Sequence, residues 1–141
     1  MKLTSAFLLV ILTIAYACKQ ADSVAPLPAG FVALQPGRQV MTPAGPTVIA
    51  DTVYISICPK DAACFVADNV MASVRVIQNQ ESKSVRLFAG FGAWSGRTGN
   101  RSDSTSVRLG DQLYKVILRG QYTGETDKGV TGRAILQVAP L

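Results

Sequence analysis

The chain contains no histidine among its 141 residues. That absence excludes Ser-His and Cys-His nucleophilic catalysis, the common zinc sites and histidine-based pH switching. Cysteine is sparse, at three residues, too few for a disulfide-built miniature fold. Charged residues make up only 16% and aromatics 7%. The basic residues are scattered, with no dense Lys/Arg run of the kind that grips nucleic acid. No apolar run reaches the roughly twenty residues of a membrane-spanning helix.

The longest apolar run, AFLLVILTIAYA over 6–17, follows Lys2 and stops at Cys18. A basic start, a short apolar stretch and a small-x-small site at Ala15-Tyr16-Ala17 read as a secretory signal that is removed. The signal therefore covers 1–17, and the rest is expected to be exported. Because a cysteine abuts the cleavage site, Ile14-Ala15-Tyr16-Ala17-Cys18 resembles the lipobox of bacterial lipoproteins. In those proteins the cysteine becomes an acylated N-terminus. The match departs from the usual pattern at Ala15, where Leu is common, and at Tyr16, where small residues are usual. Plain cleavage, leaving a free Cys18 thiol, is the alternative. Each acyl CH₂ contributes about 0.8 kcal/mol of membrane affinity, so several chains together make a firm anchor. The stretch 18–29 then reads as the lipidation cysteine followed by an Ala/Pro-rich tether. Lys19, where inner-membrane lipoproteins often carry Asp, points by resemblance to the outer membrane.

The remainder, 30–141, is one domain's worth of chain. Net charge is +5, and losing Lys2 with the signal makes it +4. This modest excess suits a protein close to an anionic envelope surface. No stretch holds helical spacing over three turns. Alternating apolar and polar residues instead predict strands. They are expected at 31–34, 39–42, 47–58, 70–78, 84–89, 105–109, 112–120 and 133–138. In the third, Val53, Ile55 and Ile57 alternate with Tyr54, Ser56 and Cys58. In the fourth, Val70, Ala72, Val74 and Val76 share one face. Turn residues recur every ten positions or so, with Pro36-Gly37 and Pro43-Ala44-Gly45-Pro46 the clearest. The fold class is therefore all-β, an antiparallel sandwich of about seven or eight strands, Ig-like at most. The stretch 90–106 is the longest without a strand signal.

Cys58 and Cys64 are spaced too widely for a redox C-x-x-C motif and are too few for a metal site. In an oxidising compartment they are expected to form a disulfide, contributing about 2 kcal/mol by chain entropy. This segment, Cys58-Pro59 through Cys64-Phe65, followed by the turn Ala67-Asp68-Asn69 and a Val-rich strand, resembles a group of small bacterial envelope lipoproteins carrying a Cys-Pro-x4-Cys β-domain. The chain departs from them at Ile57, at Phe65-Val66 and over 121–129. The resemblance implies a β-rich domain and assigns no activity.

Nothing in the spacing of the nine carboxylates sets two of them across a sugar cleft. Asp51, Asp61 and Asp68 read as turn or strand-end residues. Asp103, Glu125 and Asp127 lack the spacing of a calcium loop. Neither a metal nor a cofactor is expected, and the chain is read as a non-enzyme. The candidate binding surface is the loop bearing Trp94, Arg97 and Arg101, an aromatic among arginines and small residues on a β-scaffold. The alternative places Trp94 as a plug at the end of the sandwich. Taken together, the sequence predicts a lipid-anchored, non-catalytic binding or structural module of the cell envelope. Its expected contacts are the membrane, through the acyl chains, and an envelope protein or cell-wall glycan, with no nucleic acid. The alternative function is inhibition of a periplasmic or extracellular hydrolase.

Overall fold

A computed structural model of the chain describes residues 25–59, 61–65, 67–91, 102–126 and 129–141. The described residues form eight strands and no helix. They are β1 (Phe31–Ala33), β2 (Gln39–Met41), β3 (Thr47–Ser56), β4 (Asn69–Gln78), β5 (Glu81–Gly90), β6 (Asp103–Leu109), β7 (Gln112–Thr126) and β8 (Gly129–Pro140). Two four-stranded antiparallel sheets result, ordered β1-β8-β7-β6 and β2-β3-β4-β5. The molecule is thus the all-β sandwich its alternation predicts. Its connectivity is a meander: apart from the β1–β8 pair, every paired neighbour is also a neighbour in sequence.

Turn chemistry sets these hairpins. Asn79 and Gln80, both at positive φ (47° and 70°), join Gln78 to Glu81 in a two-residue loop whose backbone twist matches the flanking strands. Gly110, at φ 58°, opens the equally tight β6–β7 loop. Between β1 and β2 the chain changes sheet through Gln35-Pro36-Gly37-Arg38. There Pro36 presets one φ, Gly37 takes the positive one, and Arg38 N–H donates to the Gln35 carbonyl at 3.1 Å. The Pro43–Gly45 turn is closed by Thr42, whose buried hydroxyl donates to the Pro46 carbonyl at 2.7 Å.

The core lies where the two inner faces meet. Val70, Ala72, Val74 and Val76 are all fully buried, opposite Val116, Leu118, Ala134 and Leu136. In β3 the inward positions change parity. Val48 and Ala50 face the core before a bulge at Asp51, and Val53 and Ile55 share the inner face after it, opposite Ala72 and Val70. The extra residue keeps apolar side chains inside over both halves of the strand.

Two carboxylates tie the sheets together along one open side. Asp103 accepts from Phe88 N–H and Glu81 from Gly110 N–H, each at 2.8 Å, near opposite ends of the β5–β6 seam. On the outer face of the other sheet, the segment before β1 is fastened at two points. Gln121 donates to the Pro26 carbonyl at 2.8 Å and Arg133 to the Ala25 carbonyl. Ile135 faces outward beside them, yet only 2% of it is exposed. On the same face the Arg119 guanidinium lies over the Phe31 ring, 5.1 Å from its centroid.

Candidate functional site

The chemistry-bearing residues gather at one end of the sandwich, and glycine makes this arrangement possible. Phe91 is fully buried and lies flat on β7 and β8. A Cβ at Gly120 would stand 2.6 Å from its ring, and one at Gly132 would stand 2.4 Å from it and 2.7 Å from Ile57. Only the missing side chains let the ring in. The ring packs against Tyr122 at a centroid distance of 4.8 Å. The Tyr122 hydroxyl donates a short hydrogen bond to the Asp68 carboxylate, which is itself buried. The other Asp68 oxygen accepts from Cys58 N–H at 2.7 Å. One buried carboxylate therefore joins β7 to the loop that Cys58 and Cys64 close with a disulfide, their Cα atoms 6.0 Å apart.

Immediately after that loop stands Phe65, its ring wholly in solvent, an unusual position for so apolar a side chain. A second apolar feature lies on the outer face of the β2–β5 sheet. Tyr54, Met71 and Phe88 pair directly across β3, β4 and β5 and are exposed by 59%, 38% and 60%. Thr52, Ser73 and Arg86 form the next row on one side. Ser56, Asn69 and Gly90 form the row on the other. An apolar row rimmed by polar side chains on a flat sheet has the composition of a contact surface.

Of the residues singled out from sequence, Cys58 and Cys64 are brought together and the described carboxylates stand apart. Cys18, Trp94, Arg97 and Arg101 lie outside the described residues, as does Asp127. Asp51 sits at the β3 bulge, where Arg75 clasps it through Nε at 2.9 and 3.1 Å and Nη2 at 2.8 Å. The hydrogen bond first, and the carboxylate's charge second, raise the Arg75 guanidinium above its ordinary value. Asp61 is exposed on the disulfide loop. Asp68 adjoins Asn69, and Arg75 lies six residues along β4, so Asp51 and Asp68 are separated by roughly 20 Å. Glycosidase carboxylates stand within ~10 Å of each other. Asp103 is committed to the Phe88 amide. Among the described residues, no three His, Cys, Asp or Glu side chains gather as a metal site.

Sequence reasoning passed over the Phe91–Tyr122–Asp68 cluster because it read Asp68 as a turn residue, and nothing local marked Gly120 and Gly132 as sites of close approach. It also passed over the outward row. The signal for that row was present, since Tyr54, Met71 and Phe88 are apolar residues at polar phases of their alternation. The chain matches no family model, no curated protein and no solved structure.

Proposed function

We propose that this protein is a lipid-anchored, non-catalytic β-sandwich of the bacterial envelope that works as a binding module. The observation that carries the proposal is the apolar run over 6–17 ending at Cys18, in the arrangement of a lipoprotein signal. Its placement in the outer membrane rests on Lys19. The family resemblance through Cys58-Pro59 and Cys64 agrees with that setting. The fastening of Ala25 and Pro26 to the sandwich gives a tether a fixed point of attachment. The Tyr54–Met71–Phe88 row offers the surface for an envelope protein or cell-wall glycan, since apolar rings suit either a protein patch or the face of a sugar.

Two measurements test this reading. The mature chain purified from membranes is expected to begin at Cys18 with the added mass of acyl groups, and Cys18→Ser to move it into the soluble fraction. A native chain that keeps residues 1–17, or a Cys18→Ser variant still bound to membranes, refutes the anchor. Envelope extract and purified cell wall, each passed over immobilised protein, are expected to yield a ligand that Phe88→Ser no longer retains. Failure of both to bind refutes the module.

A second reading is supported by Phe65. An exposed aromatic ring directly beside a disulfide-closed loop has the form of an inhibitory plug for a hydrolase cleft. Inhibition of periplasmic or extracellular hydrolases, lost on Phe65→Ala, is its signature; no inhibition at micromolar protein removes it.

A further inference from the structure

Among the described residues, the second half of β3 has a free edge. β2 pairs only with Thr47, Val48 and Ile49, and Pro36 bridges Ala50. From Thr52 to Ser56 no strand among the described residues lies on the side away from β4. Backbone donors and acceptors on that side meet no strand among the described residues and can pair with another chain. The segment Thr52-Val53-Tyr54-Ile55-Ser56 holds no charge, proline or glycine and is rich in strand-forming residues. Both of its faces show apolar surface, with Tyr54 outward and Ile55 inward at 37% exposure. The matching edge on β8, beyond the Leu34–Ala134 hydrogen bond, has no strand beside it among the described residues over Val130-Thr131-Gly132-Arg133, next to Gly129. Its two glycines and an arginine make it a poor template.

We infer that this edge pairs with the same edge of a second copy of the chain, antiparallel about a two-fold axis at Tyr54. The register is self-complementary: Thr52 faces Ser56 of the partner subunit, Val53 faces the partner's Ile55, and Tyr54 faces its own copy. Inward residues meet inward residues and outward meet outward, as direct cross-strand pairing requires. Charge also permits it. The window is uncharged, and the nearest carboxylate, Asp51, is already neutralised by Arg75. Its length is bounded by the bulge at one end and by the strand's end at Ser56, where Cys58 turns inward to Asp68. Five residues bury well under the about 800 Å² per partner of a stable complex, so the dimer is weak and reversible. Two copies confined to one surface would populate it at lower bulk concentration. The inference stands apart from the anchor and the ligand proposed above, and its test reads mass alone.

All buried core residues lie at or after Phe31, so the chain from residue 18 onward, carrying Cys18→Ser, keeps the whole core and avoids association through lipid. Sedimentation equilibrium from nanomolar to high micromolar protein is expected to show a monomer–dimer equilibrium. Tyr54→Lys and Tyr54→Glu each set like charges face to face across the axis and are expected to weaken it by about tenfold or more. Mixing the two variants is expected to restore a dimer containing one of each. Hydrogen exchange of the unaltered chain provides a readout that needs no substitution, because amides within 52–56 gain protection as concentration rises. A monomer at every concentration, a dimer indifferent to Tyr54→Lys, a mixture no better than its parts, or amide protection independent of concentration overturns the inference.

Discussion

Gly120 and Gly132 decide whether the end of the sandwich can close. The Phe91 ring occupies the space a side chain would take at either position. Gly132→Ala is expected to destabilise the fold by about 1–3 kcal/mol, the cost of overpacking a filled core. In the Phe91→Ala background the same change is expected to cost much less, a non-additivity that urea unfolding of the four chains measures. Gln80 presents the opposite case. It holds φ 70° without being glycine, so Gln80→Gly is expected to stabilise the protein by about 1 kcal/mol. A lower urea midpoint contradicts that assignment of strain. Neither position was legible in the sequence. Gly120 closed the expected strand 112–120 and Gly132 lay just before 133–138, and nothing local marked the distant ring that requires them. For the same reason, strand expectations at 112–120 and 133–138 fell short of β7 and β8, which continue through their glycines to Thr126 and Gly129.

At the scale of the elements, alternation carried most of the architecture. The four inward residues of β4 were read directly, because a strand buried on one face repeats every second position. The bulge at Asp51 resolves what strict alternation leaves unexplained in β3, where Val48 and Ala50 share a face with Val53 and Ile55. The disulfide loop belongs to the same scale. Its position in the chain and its spacing identified the pair Cys58 and Cys64, but not the carboxylate beneath them. Replacing both cysteines by serine is expected to cost about 2 kcal/mol, and the chain should stay folded because the core lies elsewhere. Tyr122→Phe leaves a buried Asp68 oxygen with one donor fewer and is expected to cost about 1–3 kcal/mol. Thermal unfolding monitored in the far ultraviolet checks both. A Tyr122→Phe variant as stable as the parent would show that the Asp68 bond contributes nothing.

For the whole molecule, surface features matter more than any single pocket. The depression between the β4–β5 and β6–β7 hairpins, about 340 Å³, is lined by polar groups such as Gln78, Asn79 and Asp111. Its Glu81 already holds the Gly110 amide. The exposed row and the free β3 edge instead point to contacts with large partners. A doubly altered chain, Tyr54→Ser with Phe88→Ser, is expected to bind less of an apolar dye such as ANS than the parent while keeping its unfolding midpoint within about 0.5 kcal/mol, as surface changes do. Unchanged dye fluorescence would show that the row is not a continuous apolar surface. The sequence reading set its candidate binding surface on Trp94, Arg97 and Arg101, which lie outside the described residues. Composition attracts attention to loops, whereas a row spanning three strands exists only once their register is known.

The meander has one long-range seam, and it joins the first strand to the last. During synthesis Phe31 and Val32 emerge early, yet their seat on β8 is built from Ile135, Leu136 and Gln137, made roughly a hundred residues later. Each newborn chain therefore passes through an interval in which β2 to β7 have emerged and its leading strand is still unclaimed. In that interval neighbouring copies compete for the vacant berth along β8, and exchange of β1 between molecules is the misassembly this topology invites.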